Sequence, residues 1–324
     1  MLIRSMLAVL IAATLGGAAP AQDSSKDYPG KPVRIIVGFA AGGIADLGAR
    51  LLGDHITRET GQPVVVENRT AAAGTVAALA VAKAPPDGYT LGLVLSGQLV
   101  INPFVQKQMP FDVLKELIPV AAVGEAPQMI AINAEVPAKT LKEFVALARA
   151  KPGSLNYGSA GHGSLPHLSA AEFVRQAGID MVHVPYKGNA PATADLLAGR
   201  IQLLSSSIGR LRPGLDAGKT RLLLVAAKAR LPYIPDVPTS AEAGIPDYLM
   251  TVWIGVVAPT GTPQPVVDRI HALVQGMLKD PAIKRMAAAA IDVMPMSQGQ
   301  FAAFVKDEYA RWEGIVKAAG VEPQ

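Results

Sequence analysis

Two short stretches of small residues carry the chemistry in this chain. The first, Gly38-Phe-Ala-Ala-Gly-Gly43, leads into Ile44-Ala-Asp46, and the second is Ser159-Ala-Gly-His-Gly-Ser164. Each follows an apolar run and precedes a helical pattern. The first backbone N–H groups of a helix have no partner inside it, and the helix dipole places partial positive charge there. A small anion, carboxylate or phosphate, suits such donors. The hydroxyls of Ser159 and Ser164 add to the second set. The first stretch lacks the Lys-Ser/Thr pair of a nucleotide phosphate loop and does not read G-x-G-x-x-G, which argues for a small anion and against a nucleotide. Asp46 falls in the first helical turn, where it either complements the dipole or holds a water, hydroxyl or ammonium group of a ligand. Tyr186-Lys187-Gly188 forms a third turn, in which Lys187 either lends a cation to a cleft or sits on its solvated rim.

The residues offer little to an enzyme. His162 and His167 are five apart with no Glu placed as in a zinc protease, so no metal is expected there. Gly158-Ser-Ala-Gly161 is not the G-x-S-x-G elbow of a serine hydrolase. An exported hydrolase using Ser159 or Ser164 with His162 or His167 is the competing class, but no properly spaced triad is visible. His183, between Val182 and Val184, reads as a packed strand histidine; His55 and His271 lie on helix faces. With zero cysteines there is no disulfide, thiolate metal site or Cys nucleophile. No cofactor is expected.

The elements that must position the two turns follow from the hydrophobic pattern. At 324 residues, half hydrophobic and 17% charged, the chain can bury two cores. Aromatic residues make up only 5%, and no Lys/Arg block accompanies the net charge of +4, so a nucleic-acid footprint is not supported. Residues 1–21 read as a cleaved secretory leader: Arg4 is the positive start, residues 6–15 the apolar run, and Ala19-Pro-Ala21 the cleavage site. The run is too short for a comfortable membrane span, so export to the periplasm is expected. Val33-Arg-Ile-Ile-Val37 predicts a buried strand, with Leu47, Leu51 and His55 on one face of the following helix and Gly61 as its stop. Further strands are expected at 64–67, 89–95, 119–125, 129–132, 155–157, 181–184, 201–204, 222–226 and 252–258. Helices are expected at 75–84, from the capping box Thr140-Leu-Lys-Glu143, at 167–177 and at 190–198, with two or three more after 263. Ser96-Gly97 reads as a turn, and 232–246 as a proline-punctuated surface wrap. The βαβ rhythm predicts doubly wound parallel sheets flanked by helices, in two lobes: 22–125 with 252–324, and 126–251. Turns at strand carboxyl ends on both lobes would face one another across a cleft.

The ordered blocks YPGKPVRIIVGFAAGGIAD, VVVENR, PPDGYTL, INP, NYGSAGHGSLPHL, HVPYKGNAPATADLLAGR, DVPTSAEAG and VAPTGTP carry a further signal. From Tyr28 to the region of Trp312 the chain resembles the solute receptors of tripartite tricarboxylate transporters, the Bordetella uptake (Bug) family. The resemblance implies a two-lobed type II periplasmic-binding-protein fold, no enzymatic activity, and closure on a small organic acid held by backbone amides, hydroxyls and ordered water. It places ligand contacts at Phe39, Gly42, Gly43, Ala45 and Asp46 and at Ser159, Gly161, Gly163, Ser164 and His167, with Ser96, Tyr186 and Gly188 as weaker candidates. It implies a monomer that hands its acid to the permease subunits of a transporter; reporting to a membrane sensor kinase is the alternative output. Several residues depart from the family pattern. Gly38 replaces a usual Pro, Ala45 a common hydroxyl residue, residues 70–75 a more glycine-rich turn, and Ser205 a frequent acid. The last change weakens the case for an amine-bearing ligand. A dicarboxylate or aromatic carboxylate is therefore expected ahead of an amino acid or a sugar.

Overall fold

The structure, a computed structural model, describes residues 28–323; the expected leader lies outside them. The strands are β1 (Val33–Val37), β2 (Val64–Asn68), β3 (Thr90–Leu95), β4 (Leu117–Pro127), β5 (Met129–Asn133), β6 (Asn156–Ser159), β7 (Val182–Pro185), β8 (Leu203–Ser206), β9 (Thr220–Val225), β10 (Thr251–Pro259) and β11 (Asp292–Val293). They form a six-stranded sheet of order β11-β4-β10-β3-β1-β2 and a five-stranded sheet of order β7-β6-β8-β5-β9, each flanked by helices. Two α/β lobes result.

Both sheets are mixed, where the sequence rhythm predicts parallel ones. β1 pairs parallel with β2 and β3, and β6 with β7 and β8. However, β10 runs antiparallel to β3 and β4, and β5 antiparallel to β8 and β9. The reason lies in the crossing. β4 leaves the first sheet and β10 re-enters it, so as neighbours they must run in opposite senses; β5 and β9 make the same entry and exit in the second. A single residue, Gln128, separates β4 from β5. Its N–H donates to Met250 O at 2.8 Å and its carbonyl accepts from Ala226 N at 2.8 Å, tying the outgoing connection to the returning one. Those paired segments link the two sheets.

Register sets the site. Val37 lies opposite Asn68 and Leu93, so β1, β2 and β3 end near one edge and release their turns there. In the second sheet Ser159 pairs with Pro185 and Gly158 with Leu204, which brings the turns after β6, β7 and β8 to a common edge. The helix Ile44–Thr60 buries Leu51 and Leu52 in the first lobe's core and His55 against Gly276 of the helix Gln264–Lys279, and it stops at Gly61, whose left-handed φ of 73° lets its N–H reach Thr57 O. Thr140 caps the helix Leu141–Ala150 by accepting from Glu143 N. Apolar packing runs without a break from Ile36 and Val94 of the first sheet to Ile130 and Leu203 of the second, through Trp253, Phe301 and Trp312. The last two belong to the C-terminal helix Gln298–Ala318. Fully burying a side chain such as Phe301 contributes about 1.5–3 kcal/mol, so this helix is a principal brace.

Several elements differ from the sequence expectation, among them the short helices Asn102–Val105 and Val113–Glu116. Ser96 to Val100 is a short helix rather than a turn, with Gln98 Oε1 accepting from Leu95 N at 2.9 Å. Ile208–Asp216 is a helix that Gly209 and Pro213 conceal in the sequence. β11 is only two residues long and exists through pairing with β4.

Candidate ligand-binding site

The first turn is organised from within by Asp46. Gly42 adopts φ +82° and donates its N–H to Asp46 Oδ2 at 2.9 Å. Arg50 Nε reaches the same oxygen at 2.9 Å, and Arg50 Nη2 reaches Oδ1 at 3.0 Å. Asn68 Nδ2 donates to Oδ1 at 3.1 Å and to the carbonyl of Phe39 at 2.8 Å, sewing the β2 end to the turn. The bond from Arg50, chiefly, holds the Asp46 carboxyl below its ordinary range. Four donors on a carboxylate that is 3% exposed leave it no outward acceptor. Of the two roles open to Asp46 in the sequence, the geometry favours shaping the turn. Gly43, the helix N-cap, is exposed and offers no side chain to cap the first amides of Ile44–Thr60. The Ala45 side chain is buried in the first lobe's core, so its outward contribution is limited to its N–H. Phe39 is half-buried beside the turn. Ser96, at the end of β3, keeps a buried hydroxyl with no hydrogen-bond partner among the described residues.

The second turn is built on hydroxyls and imidazoles. Ser159 is fully buried; its Oγ accepts from Gly161 N at 3.1 Å and lies 2.7 Å from His183 Nε2. Ser164 caps the helix Leu165–Ala177, accepting from His167 N, while its hydroxyl donates to Gly161 O at 2.7 Å. Gly163 N donates to His167 Nδ1 at 3.1 Å. The rings of His167 and His183 stack at 3.8 Å, Tyr157 stacks on His183 at 5.0 Å, and His162 stands edge-on to both imidazoles. Burial first, and the neighbouring imidazoles second, push His167 and His183 down to about 4. Both are therefore neutral at physiological pH.

This wiring tests two chemistries. The ring nitrogens of His162, His167 and His183 lie within 4.8 Å of one another, a set the sequence does not suggest because His183 comes from a different strand. A ligating histidine normally donates its second N–H to an acceptor. His167 does the reverse: Nδ1 accepts from a backbone amide, which fixes the proton on Nε2 and leaves no lone pair for a metal. Its ring also lies parallel to that of His183, so the two in-plane lone pairs cannot converge. The Ser159–His183 pair likewise resembles a nucleophile and base. However, the serine is inaccessible and an imidazole titrating near 4 is a poor acceptor for its proton.

At the third turn Tyr186 contributes no free donor. Its OH donates to Asp195 Oδ2 at 2.7 Å and its N–H to Ser159 O at 3.1 Å. Burial, then the bond to Asp195, raises the phenol to about 12. Through these two bonds Tyr186 braces the turn from below. Gly188, at φ +110°, opens the helix Asn189–Leu197 without a side-chain cap. Lys187 is exposed. Ser205 faces inward, bonded to Ser169 Oγ at 2.7 Å, so the position where an acid was considered lies off the turn edge. The two lobes meet at the second turn: a Cβ on Gly163 would lie 3.1 Å from Val105 Cβ, on the helix Asn102–Val105 of the first lobe.

Sequence reasoning read His183 only as a packed strand histidine, without its bond to Ser159, and passed over Asn68. Strand alternation could have found the first. Val182 is 49% exposed, which turns His183 to the other face of β7, towards Ser159.

The chain was then compared with known proteins. Residues 48–321 match the tripartite tricarboxylate transporter family receptor. BugT of Bordetella pertussis (strain Tohama I) is 33% identical over 312 residues, covering 96% of this chain and 95% of BugT. Among solved structures, Rpa4515 of R. palustris with adipate is 33% identical, covers 92% of this chain and all of that one, and superposes with a TM-score of 0.78. MatC from Rhodopseudomonas palustris with bound malate is also 33% identical, covers 89% of this chain and all of its own, and gives 0.73. Their lobed architecture is that of this chain, which belongs to the tripartite tricarboxylate transporter receptor family.

Proposed function

We propose that this protein is a periplasmic receptor that captures a small dicarboxylate between its lobes and delivers it to the permease subunits of a tripartite transporter. The observation that carries the reading is the pair of donor turns. One ends β1 and the other β6, each opens a long helix, and the second turn abuts the first lobe at Val105. Each turn takes one carboxylate. In the first, the amides beyond Gly42 and Gly43, that of Ala45 included, and the Ser96 hydroxyl donate, with Phe39 as an apolar wall and Asp46 holding the shape. In the second, the His162 amide between Gly161 and Gly163 donates, Ser164 caps the helix beside it, Ser159 and His167 hold the turn, and Gly188 opens the neighbouring helix. The lobes are residues 22–125 with 252–324, and 126–251, and the protein works as a monomer.

Relatives bound to adipate and to malate favour a dicarboxylate over an aromatic acid. A sugar would want aromatic platforms and carboxylate acceptors, and the one carboxylate in the first turn is already saturated by donors. The test is thermal shift against mono-, di- and tricarboxylates, aromatic acids, amino acids and sugars. A ligand at 100 times its Kd stabilises by about 2.7 kcal/mol. A shift from dicarboxylates supports the reading; shifts confined to sugars or amino acids refute it.

A further inference from the structure

His162 is the exposed member of the imidazole cluster. Its ring meets that of His167 at 81° and that of His183 at 87°, with centroids 5.4 and 5.0 Å away. The groups facing it are therefore His167 on the helix Leu165–Ala177 and His183 on β7, with Tyr157 of β6 stacked behind. The Asn102–Val105 helix, which abuts the turn, carries no titratable side chain; Lys107 beyond it and Lys187 in the next turn are exposed.

The arginines near the first donor turn are committed, and the exposed Lys107 and Lys187 lie outside the second turn. Arg50 is held bidentate by Asp46, and Arg69 is paired with Glu67 at 2.7 Å. Protonating His167 would set a proton on Nδ1 against the N–H of Gly163, and His183 is engaged by Ser159. A dianion in the cleft would thus find many neutral donors and, within the second turn, one side chain able to supply a full charge.

We propose that His162 meets the second negative charge of a dicarboxylate as an imidazolium, so that ligand capture takes up one proton from solvent. This rests on the carboxylate reading of the same cleft and deepens it: the receptor selects dianions over monoanions and binds them more tightly as pH falls. A carboxylate placed a few ångströms from an imidazole favours its charged form by about 1–2 pK units, equivalent to a roughly 10- to 100-fold gain in affinity.

The test is calorimetric titration of adipate and of malate between pH 8 and 6.5, in two buffers of different ionisation enthalpy. The wild type should take up roughly half a proton or more at its maximum, and its affinity should rise by roughly 4- to 12-fold across the range. His162→Gln, an exposed change that should leave the melting temperature intact, should bind with no uptake and a flat pH profile. Binding without uptake by the wild type, or unchanged uptake in the variant, overturns the role of His162 and leaves the carboxylate reading standing. If neither acid binds the wild type, the carboxylate reading falls as well.

Discussion

Gly163→Ala tests the second turn and the seam between the lobes together. Two costs combine. At φ +68° an L-residue pays about 1–2 kcal/mol against glycine. The added methyl also lies 3.1 Å from Val105 Cβ and 3.2 Å from its Cγ1, tighter than ordinary contact, so the seam must open by a few tenths of an ångström. Overpacking of this kind adds about 1 kcal/mol, for a total of roughly 2–3 kcal/mol. In a chain of this size that lowers Tm by roughly 4–10 °C. Repeating the substitution in a Val105→Ala background separates the terms, because the backbone cost stays while the contact is relieved. The variant should also weaken dicarboxylate binding, since closure must squeeze the same contact. A Tm within about 1 °C of wild type would refute the turn geometry. A full loss that is unchanged in the Val105→Ala background would refute the seam contact.

Three further outcomes follow from the same geometry. In the turn after β2, Ala72 and Ala73 hold φ of 47° and 51°, so Ala72→Gly with Ala73→Gly should raise Tm by a few degrees even after the added freedom of the unfolded chain; Gly74→Ala should do the opposite, because its Cβ would meet Gln98 at 2.6–2.9 Å. The folded-state pKa of His167 and His183, about 4, lies below the unfolded value near 6.5, so their neutral forms contribute stability that is intact above about pH 6.5 and lost as pH falls towards 4; urea titrations across that window should show a shallower pH slope for His183→Gln, and an unchanged slope would contradict the burial argument. Ser159→Ala should weaken acid binding by loosening the turn while a panel of esters and amides shows no turnover in either protein; turnover by the wild type that the substitution abolishes would revive a hydrolase.

Much of the first turn was legible because its causes are local. The β-branched run 33–37, the small residues after it and Gly61 together dictate a strand, a tight turn and a helix of defined length, and the structure has all three. The second turn was legible as a donor set for the same reason. What could not be read is non-local. His183 joins Ser159 across two strands, Asn68 crosses from β2 to the first turn, and Tyr186 is claimed by Asp195, nine residues further on. Composition fixes none of these partners; the sheet register sets the first, and the placing of helices and turns on the sheet sets the others. The antiparallel placement of β10 was hidden too, because it follows from the chain leaving and re-entering a sheet and not from any property of residues 251–259. The helix Ile208–Asp216 was masked by residue types that break helices in isolation and are tolerated here by packing on β9.

One acid should be held by both turns at once. Calorimetric titration of adipate and malate into the wild type, Gly43→Asp and Ser164→Asp addresses it directly. Gly43 has extended backbone that Asp can adopt, and Asp at residue 164 still caps its helix, so both variants should fold while each sets a negative charge among one group of donors. Saturable binding to the wild type and loss of binding in each single variant is the expected result. Wild-type-like affinity in either variant would contradict capture between the two lobes.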